Sequence, residues 1–223
     1  MIMKKRFVSL VLLVFASASL TQAQFVKSIG LKGGAAWAKQ EWKYKNVNEV
    51  DDPQYRARIH AGLELEMFRH PWLGMLAGAG IAQKGNQIEV EITHAGQPEG
   101  TGEFKTFRST FNYAYLELLL KVHREFGPVT PFVFAGPRLD YMISYDSDLS
   151  LETIEDEMSD ALFGLSYGVG VEYNFGRIGL AAVFTHQYDF SYVYDKEPET
   201  FGLESIRNKA YFLDLAIKYY FGK

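Results

Sequence analysis

The chain has 223 residues, a formal net charge of −4, no cysteine and 15% aromatic residues, 14 of them Tyr. Without cysteine it has neither a disulfide framework nor a lipoprotein anchor, and no basic stripe suits it to nucleic acid. After Ala23 no long apolar run occurs, which excludes a protein built of spanning helices and leaves an alternating barrel open.

Lys4, Lys5 and Arg6 precede a mostly apolar stretch, Phe7 to Leu20, and Thr21-Gln22-Ala23 is a small-residue cleavage site. The reading is a signal peptide over 1–23 and a single domain over 24–223. The apolar stretch falls short of the ~18 residues that a spanning helix wants.

The first strand is expected over Lys27 to Gln40. Ile29, Leu31, Gly33, Ala35 and Trp37 alternate with Ser28, Gly30, Lys32, Gly34, Ala36 and Ala38. The second, Tyr55 to Phe68, alternates most clearly. Tyr55, Ala57, Ile59, Ala61, Leu63, Leu65 and Met67 oppose Arg56, Arg58, His60, Gly62, Glu64 and Glu66. No soluble core accepts that second face, so it meets bulk water or a polar lumen. The third begins at Leu73, with Lys84 inward. Past Gly85 the pattern exchanges, with Ile88, Val90 and Ile92 against Glu89 and Glu91. This reads as a bulge at Gly85 and then an arm standing above the membrane, paired with Glu103 to Ser109.

The central hairpin follows. Leu116, Leu118, Leu120 and Val122 share one face, and Tyr115, Glu117, Leu119 and Lys121 the other. Gly127-Pro128 marks the turn. In the second arm Val133, Ala135, Leu139, Tyr141 and Ile143 oppose Phe134, Arg138, Asp140 and Ser144. These arms exceed ordinary globular strands and suit a tilted bilayer crossing of about 9–11 residues. The run Tyr115-Leu116-Glu117-Leu118-Leu119-Leu120-Lys121, with Gly136-Pro137 in the next arm, resembles the central hairpin of the PorT-like outer-membrane β-barrel proteins of Bacteroidota. That family carries a Pro where Leu119 stands here. Gly168 to Asn174 is similar to the family's sixth strand. The resemblance implies a barrel in the outer membrane and, by analogy, a secretion-accessory role.

An acidic loop, 146–160, contains no Lys or Arg. It is read as a solvated outside loop, with divalent-cation binding as the functional alternative, although it lacks EF-hand spacing. Strand six is expected over Ala161 to Phe175, strand seven over Ile178 to Tyr194, and a last loop over Asp195 to Arg207. Strand eight then carries Tyr211, Leu213, Leu215, Ile217, Tyr219 and Phe221 outward. The fold expected is all-β: an eight-stranded antiparallel up-and-down transmembrane barrel, with short periplasmic turns and long outside loops.

Two residue sets follow from this. The lumen set is Lys32, Arg56, Arg58, Lys84, Lys121, Arg138 and Lys218 against Glu64, Glu66, Glu117, Asp140, Glu172, Asp189 and Asp214. The signs balance, and the interior of an eight-stranded barrel is only wide enough for side chains. A buried ion-pair network is therefore expected. The lipid-facing aromatic belt is Trp37, Tyr141, Tyr167, Tyr173, Phe184, Tyr188, Tyr211, Tyr219 and Phe221.

No catalytic, cofactor or metal site is expected. His186, with Tyr188 and Ser191 nearby in sequence, is the one candidate for lipid-modifying chemistry, and His-Gln-Tyr stands where a deacylase would want His-x-Ser. His60 and His123 read as lumen or periplasmic-rim residues, and the histidines lack metal-ligand spacing. The leading function is a non-enzymatic outer-membrane protein with a structural or interaction role through its loops. A narrow channel and an outer-leaflet lipid enzyme are the alternatives. Expected partners are outer-membrane lipid, lipopolysaccharide and an envelope protein.

Overall fold

The computed structural model describes residues 25–46, 53–92, 102–148, 157–196 and 202–222. The signal-peptide reading, most of the acidic 146–160 loop and the tips of three long connections lie outside them. The strands are β1 (Val26–Lys45), β2 (Gln54–Met67), β3 (Leu73–Glu91), β4 (Phe104–His123), β5 (Val129–Ser147), β6 (Ala161–Phe175), β7 (Ile178–Asp189), β8 (Tyr194–Asp195) and β9 (Gly202–Tyr220). Each pairs antiparallel with the next along the ring, and β9 pairs with both β7 and β1, so an eight-membered ring closes. β8 is a short addition to the upper part of β9.

The two faces follow the expected alternation because a strand's side chains point to opposite sides in turn. In β9, Leu213, Leu215 and Ile217 are exposed, while Phe212, Asp214, Ala216 and Lys218 are buried. In a bilayer the exposed row meets lipid tails, so its exposure to solvent in the isolated chain carries no penalty. Short turns join β2 to β3, β4 to β5 and β6 to β7 at one end, with longer connections at the other. β9 has 19 residues, which at about 3.3 Å each gives about 60 Å. An apolar band about 25 Å tall, crossed at a tilt near 40°, uses only about half of that. β1, β3, β4 and β5 are as long or longer, so the upper parts of these strands and of β9 stand clear of the membrane.

Several details differ from the sequence expectation. β3 has no bulge at Gly85: its register with β4 is unbroken from Leu73↔Val122 to Glu91↔Phe104. Ile88 stays on the inward face and is buried. The exchange of polar and apolar residues marks the strand leaving the membrane, where the outer face turns wet and the inner one apolar. The register shift sits instead between β2 and β3, between Tyr55 and His60. A second shift, between Asn112 and Tyr113 opposite Ser144 and Met142, turns Ser144 outward rather than inward. β7 ends at Asp189 rather than running to Tyr194. The amides of Phe190 and Ser191 both bond the Phe163 carbonyl there, and the chain folds inward. The segment expected as a loop, 202–207, is instead the start of β9.

That inward fold closes the outer mouth. Phe111, Tyr113, Leu162, Val193, Tyr194 and Ile206 form a buried apolar cluster, with Trp42, Met142, Tyr145, Met158 and Leu203 packed around it. Further down, aromatic side chains lie over inward glycines. A Cβ on Gly170 would meet the Phe132 ring at 2.3 Å, and one on Gly62 would meet the Tyr115 hydroxyl at 2.1 Å. Small residues on one wall thus make room for large ones from the opposite wall.

Candidate functional site

The inward charges gather into three levels. At the short-turn end, Glu66 of β2 accepts from Lys121 of β4 at 2.7 Å and from Lys27 of β1 at 2.8 Å. Glu64 pairs with Lys218 of β9 at 2.7 Å. Glu172 of β6 lies 3.5 Å from Lys218 and 3.7 Å from Lys121, and accepts from the Tyr220 hydroxyl. Three cations thus meet three carboxylates. In the middle, Lys32 pairs with Glu117 at 2.5 Å, and His60 Nδ1 lies 2.9 Å from Asp214 Oδ1. Above them, Arg138 Nε donates to Asp140 at 2.9 Å and its Nη2 to Asp189, while Lys84 reaches Asp140 at 2.5 Å and Asp189 at 4.0 Å.

The lower and upper levels each balance on their own. That matters because moving a charge out of water costs several kcal/mol per ion, which a well-placed partner offsets. Lys84, Lys121, Arg138, Asp140, Asp189 and Lys218 are all almost wholly buried. Twelve of the fourteen residues in the lumen set join these pairs. The other two, Arg56 and Arg58, do not. Both guanidiniums donate to Thr110 Oγ1, at 3.2 and 2.9 Å, and both are only half-buried at the outer rim. They lie within the register shift of β2, between Tyr55 and His60, where simple alternation stops describing direction.

Three partners were not in the expected set. His60 holds Asp214 and stacks on Tyr115, with ring centroids 5.0 Å apart. Tyr220 caps Glu172. Lys27 reaches Glu66 because the register slips between Val26 and Ser28 and turns it inward. Inward parity on β2 already places His60 in the lumen, though not among the charged set, and the same parity on β9 could have found Tyr220. Lys27 carries no such signal.

Outside, all nine belt residues point away from the lumen. Tyr173, Tyr219 and Phe221 lie near the short-turn end, and Trp37, Tyr141, Tyr167, Phe184, Tyr188 and Tyr211 lie toward the other. His186 sits among the upper group. Its Nδ1 bonds the Tyr167 hydroxyl at 2.5 Å, and its ring lies 4.6 Å from that of Tyr211. Ser191, further along the chain, bonds the Phe163 backbone. His123 is buried beside the lower turn, where its amide donates to the Trp72 carbonyl. Among the described residues no group of three or more His, Asp or Glu side chains is placed to hold a metal. Above the membrane, Lys43 bonds Glu204 at 2.6 Å, and that hydrogen bond raises the ammonium pKa.

One ladder is open. The β4–β5 register skips Leu118 and Leu119 opposite Pro137 and Gly136, because proline brings no N–H to the pairing. A cleft of about 280 Å³ lies on the outer wall there, lined by Leu116, Leu118, Leu139 and Phe163 among others.

A family model described as the outer membrane protein beta-barrel domain matches residues 7–213. No curated protein matches the chain. Among solved structures, the outer membrane protein AlkL, determined by solid-state NMR in lipid bilayers, is similar at a TM-score of 0.50 and 12% identity. The match covers 89% of this chain and 92% of that one. Neisserial surface protein A is similar at 0.48 and 13% identity, over 86% of this chain and 97% of its own. OprG from Pseudomonas aeruginosa is similar at 0.47 and 12% identity, over 88% and 97%. At such identities the likeness concerns the fold alone.

Proposed function

Because the chain belongs to the outer membrane protein β-barrel domain family, we propose that it is a non-enzymatic integral outer-membrane protein acting through its outer rim and loops. The single observation that carries this reading is the filled interior. Charges are paired level by level, aromatic rings cover the inward glycines, and an apolar cluster closes the outer mouth. A lumen of that kind offers no continuous polar path, and a selective pore would carry an excess of one sign. What faces the outside is the upper half of five long strands and their connections, which is where a partner can be met.

The finer assignment is to the PorT-like proteins of Bacteroidota, with a secretion-accessory role and an envelope protein as partner. It rests on the central run from Tyr115 to Lys121 and on Gly136-Pro137. On this reading the chain is exported by a signal peptide cleaved after Ala23. N-terminal sequencing of the protein taken from outer membranes checks the cleavage. Crosslinking in native membranes, from photoreactive residues placed in the upper parts of β3 and β4, tests the role. A specific envelope protein captured there, and not from the short turns, is the expected result. Steady ion conductance with no captured partner would overturn the reading in favour of a channel.

A further inference from the structure

Arg56 and Arg58 are the two cations of the lumen set that bond only neutral groups. Arg56 Nη1 donates to Thr110 Oγ1 at 3.2 Å and to the Ser109 carbonyl at 3.4 Å. Arg58 Nη2 donates to the same Thr110 oxygen at 2.9 Å, and its Nη1 donates to the Ala57 carbonyl at 3.4 Å. Two guanidiniums therefore lie side by side on one hydroxyl, where their like charges repel. β3 stands between β2 and β4, so both side chains cross it to reach Thr110. The residue opposite Thr110 is Gly85, which puts no side chain in their way.

Donors are left over at this convergence. A hydroxyl has two lone pairs and one hydrogen. Thr110 Oγ1 accepts from both arginines, so its hydrogen turns away from them and remains to be given. Arg58 Nε is buried and has no acceptor among the described residues. Arg108 adds like charge near Arg56, and Asp148 and Asp146 add opposite charge. Asp148 spends a carboxylate oxygen on the Arg108 amide at 3.1 Å rather than on a guanidinium. Three arginines against two acids leave the cluster with a net positive charge. Ala114 pairs with Tyr141 of the upper aromatic belt, and Thr110 lies further up β4. The cluster thus stands above the hydrocarbon, and its half-buried arginines are open to the medium outside.

We propose that Arg56, Arg58 and Thr110 form a binding site for a tetrahedral oxyanion, phosphate or sulfate, taken from the external medium as the free ion or as a soluble ester. A carboxylate presents one planar edge, which a single guanidinium fork satisfies. Two forks converging on a hydroxyl donor approach from more directions than that, and oxygens set tetrahedrally meet them. The site is separate from the envelope partner proposed above, and the outcome of that crosslinking does not decide this one.

The test uses the folded full-length barrel in maltoside micelles and the arginine Nε–Hε signals in NMR spectra, assigned by single substitutions. Inorganic sulfate, inorganic phosphate, glucose 6-phosphate and acetate are titrated in turn. The three tetrahedral anions should shift the Arg56 and Arg58 signals saturably, and acetate should bind more weakly. Tighter binding of glucose 6-phosphate than of inorganic phosphate identifies an ester as the source, and the reverse order identifies the free ion; both support the site. Arg56→Gln should weaken phosphate binding about tenfold, the factor for one charge-assisted hydrogen bond. Asp146→Asn should tighten it, and this arm leaves every proposed contact in place. Arg124→Gln, between β4 and β5 at the short-turn end, should leave it unchanged. Equal affinity for acetate, the same shift at every arginine, unchanged affinity in a folded Arg56→Gln variant, or weaker binding by Asp146→Asn would each overturn the proposal.

Discussion

Arg138→Met tests whether the upper charge level is a dry, mutually dependent set. Four side chains meet there, Lys84 and Arg138 against Asp140 and Asp189, all but excluded from solvent. Methionine keeps most of the length and removes the charge, so two carboxylates are left with one cation. Breaking a buried pair in this way costs about 3–5 kcal/mol. Asp189→Asn leaves the opposite excess, two cations to one carboxylate, and should cost a similar amount. The double variant retains Lys84 and Asp140, a neutral pair at 2.5 Å, so it should lose far less than the two single costs added together. A coupling of at least about 2 kcal/mol is expected, within the range for residues of one network. The assay is equilibrium urea unfolding in phospholipid vesicles, followed by the fluorescence of Trp37, Trp42 and Trp72. Additive single costs, with coupling below about 0.5 kcal/mol, would mean that water screens these charges and would refute the closed lumen.

Other outcomes follow from the same geometry. Purified protein in planar bilayers should show little or no steady conductance, and large stable steps would contradict the filled interior. Cysteines placed singly at 138 and 139, in a chain with none of its own, should differ once labelled: position 139 is quenched by a lipid-tail quencher and position 138 is shielded. Leu215→Arg, at the most exposed large apolar position of β9, should cost about 2–4 kcal/mol in a vesicle unfolding titration if it lies near the midplane. An unchanged midpoint would place that residue outside the hydrocarbon. Gly170→Ala should destabilise the barrel because its Cβ would meet the Phe132 ring, and pairing it with Phe132→Leu should recover part of the loss.

Much of this architecture is written in local alternation, and the parts that are not share a cause. In β2 the run from Ile59 to Glu66 can be sorted by parity alone, and the structure follows it residue by residue. Parity holds only while both strands of a ladder advance together. A one-residue slip belongs to the pair, so nothing within β2 announces that Arg56 and Arg58 reach Thr110 rather than an inward carboxylate. The same is true of Ser144 and of Lys27. At Ile88 the error ran the other way. A change in surroundings along an unbroken strand, from lipid to water outside and from charge to apolar cap inside, imitates a phase flip. The charges of the lumen set could be named from sequence, but their division into levels could not, since Glu66, Lys121, Lys218 and Glu172 meet only after the chain has bent round on itself.

That last point bears on how the molecule is put together. The lower charge level draws on β1, β2, β4, β6 and β9, so no hairpin taken alone can assemble it. While the ends are apart, these ammonium and carboxylate groups remain hydrated. They lose water together when β9 meets β1 along a register that runs from Ser28 to Lys45. A half-closed cylinder would carry desolvated charges lacking counterparts, a state of high free energy. Assembly should therefore be all-or-none at the closing seam, with the carboxyl-terminal strand as its gatekeeper and few intermediates long-lived enough to be caught by proteolysis.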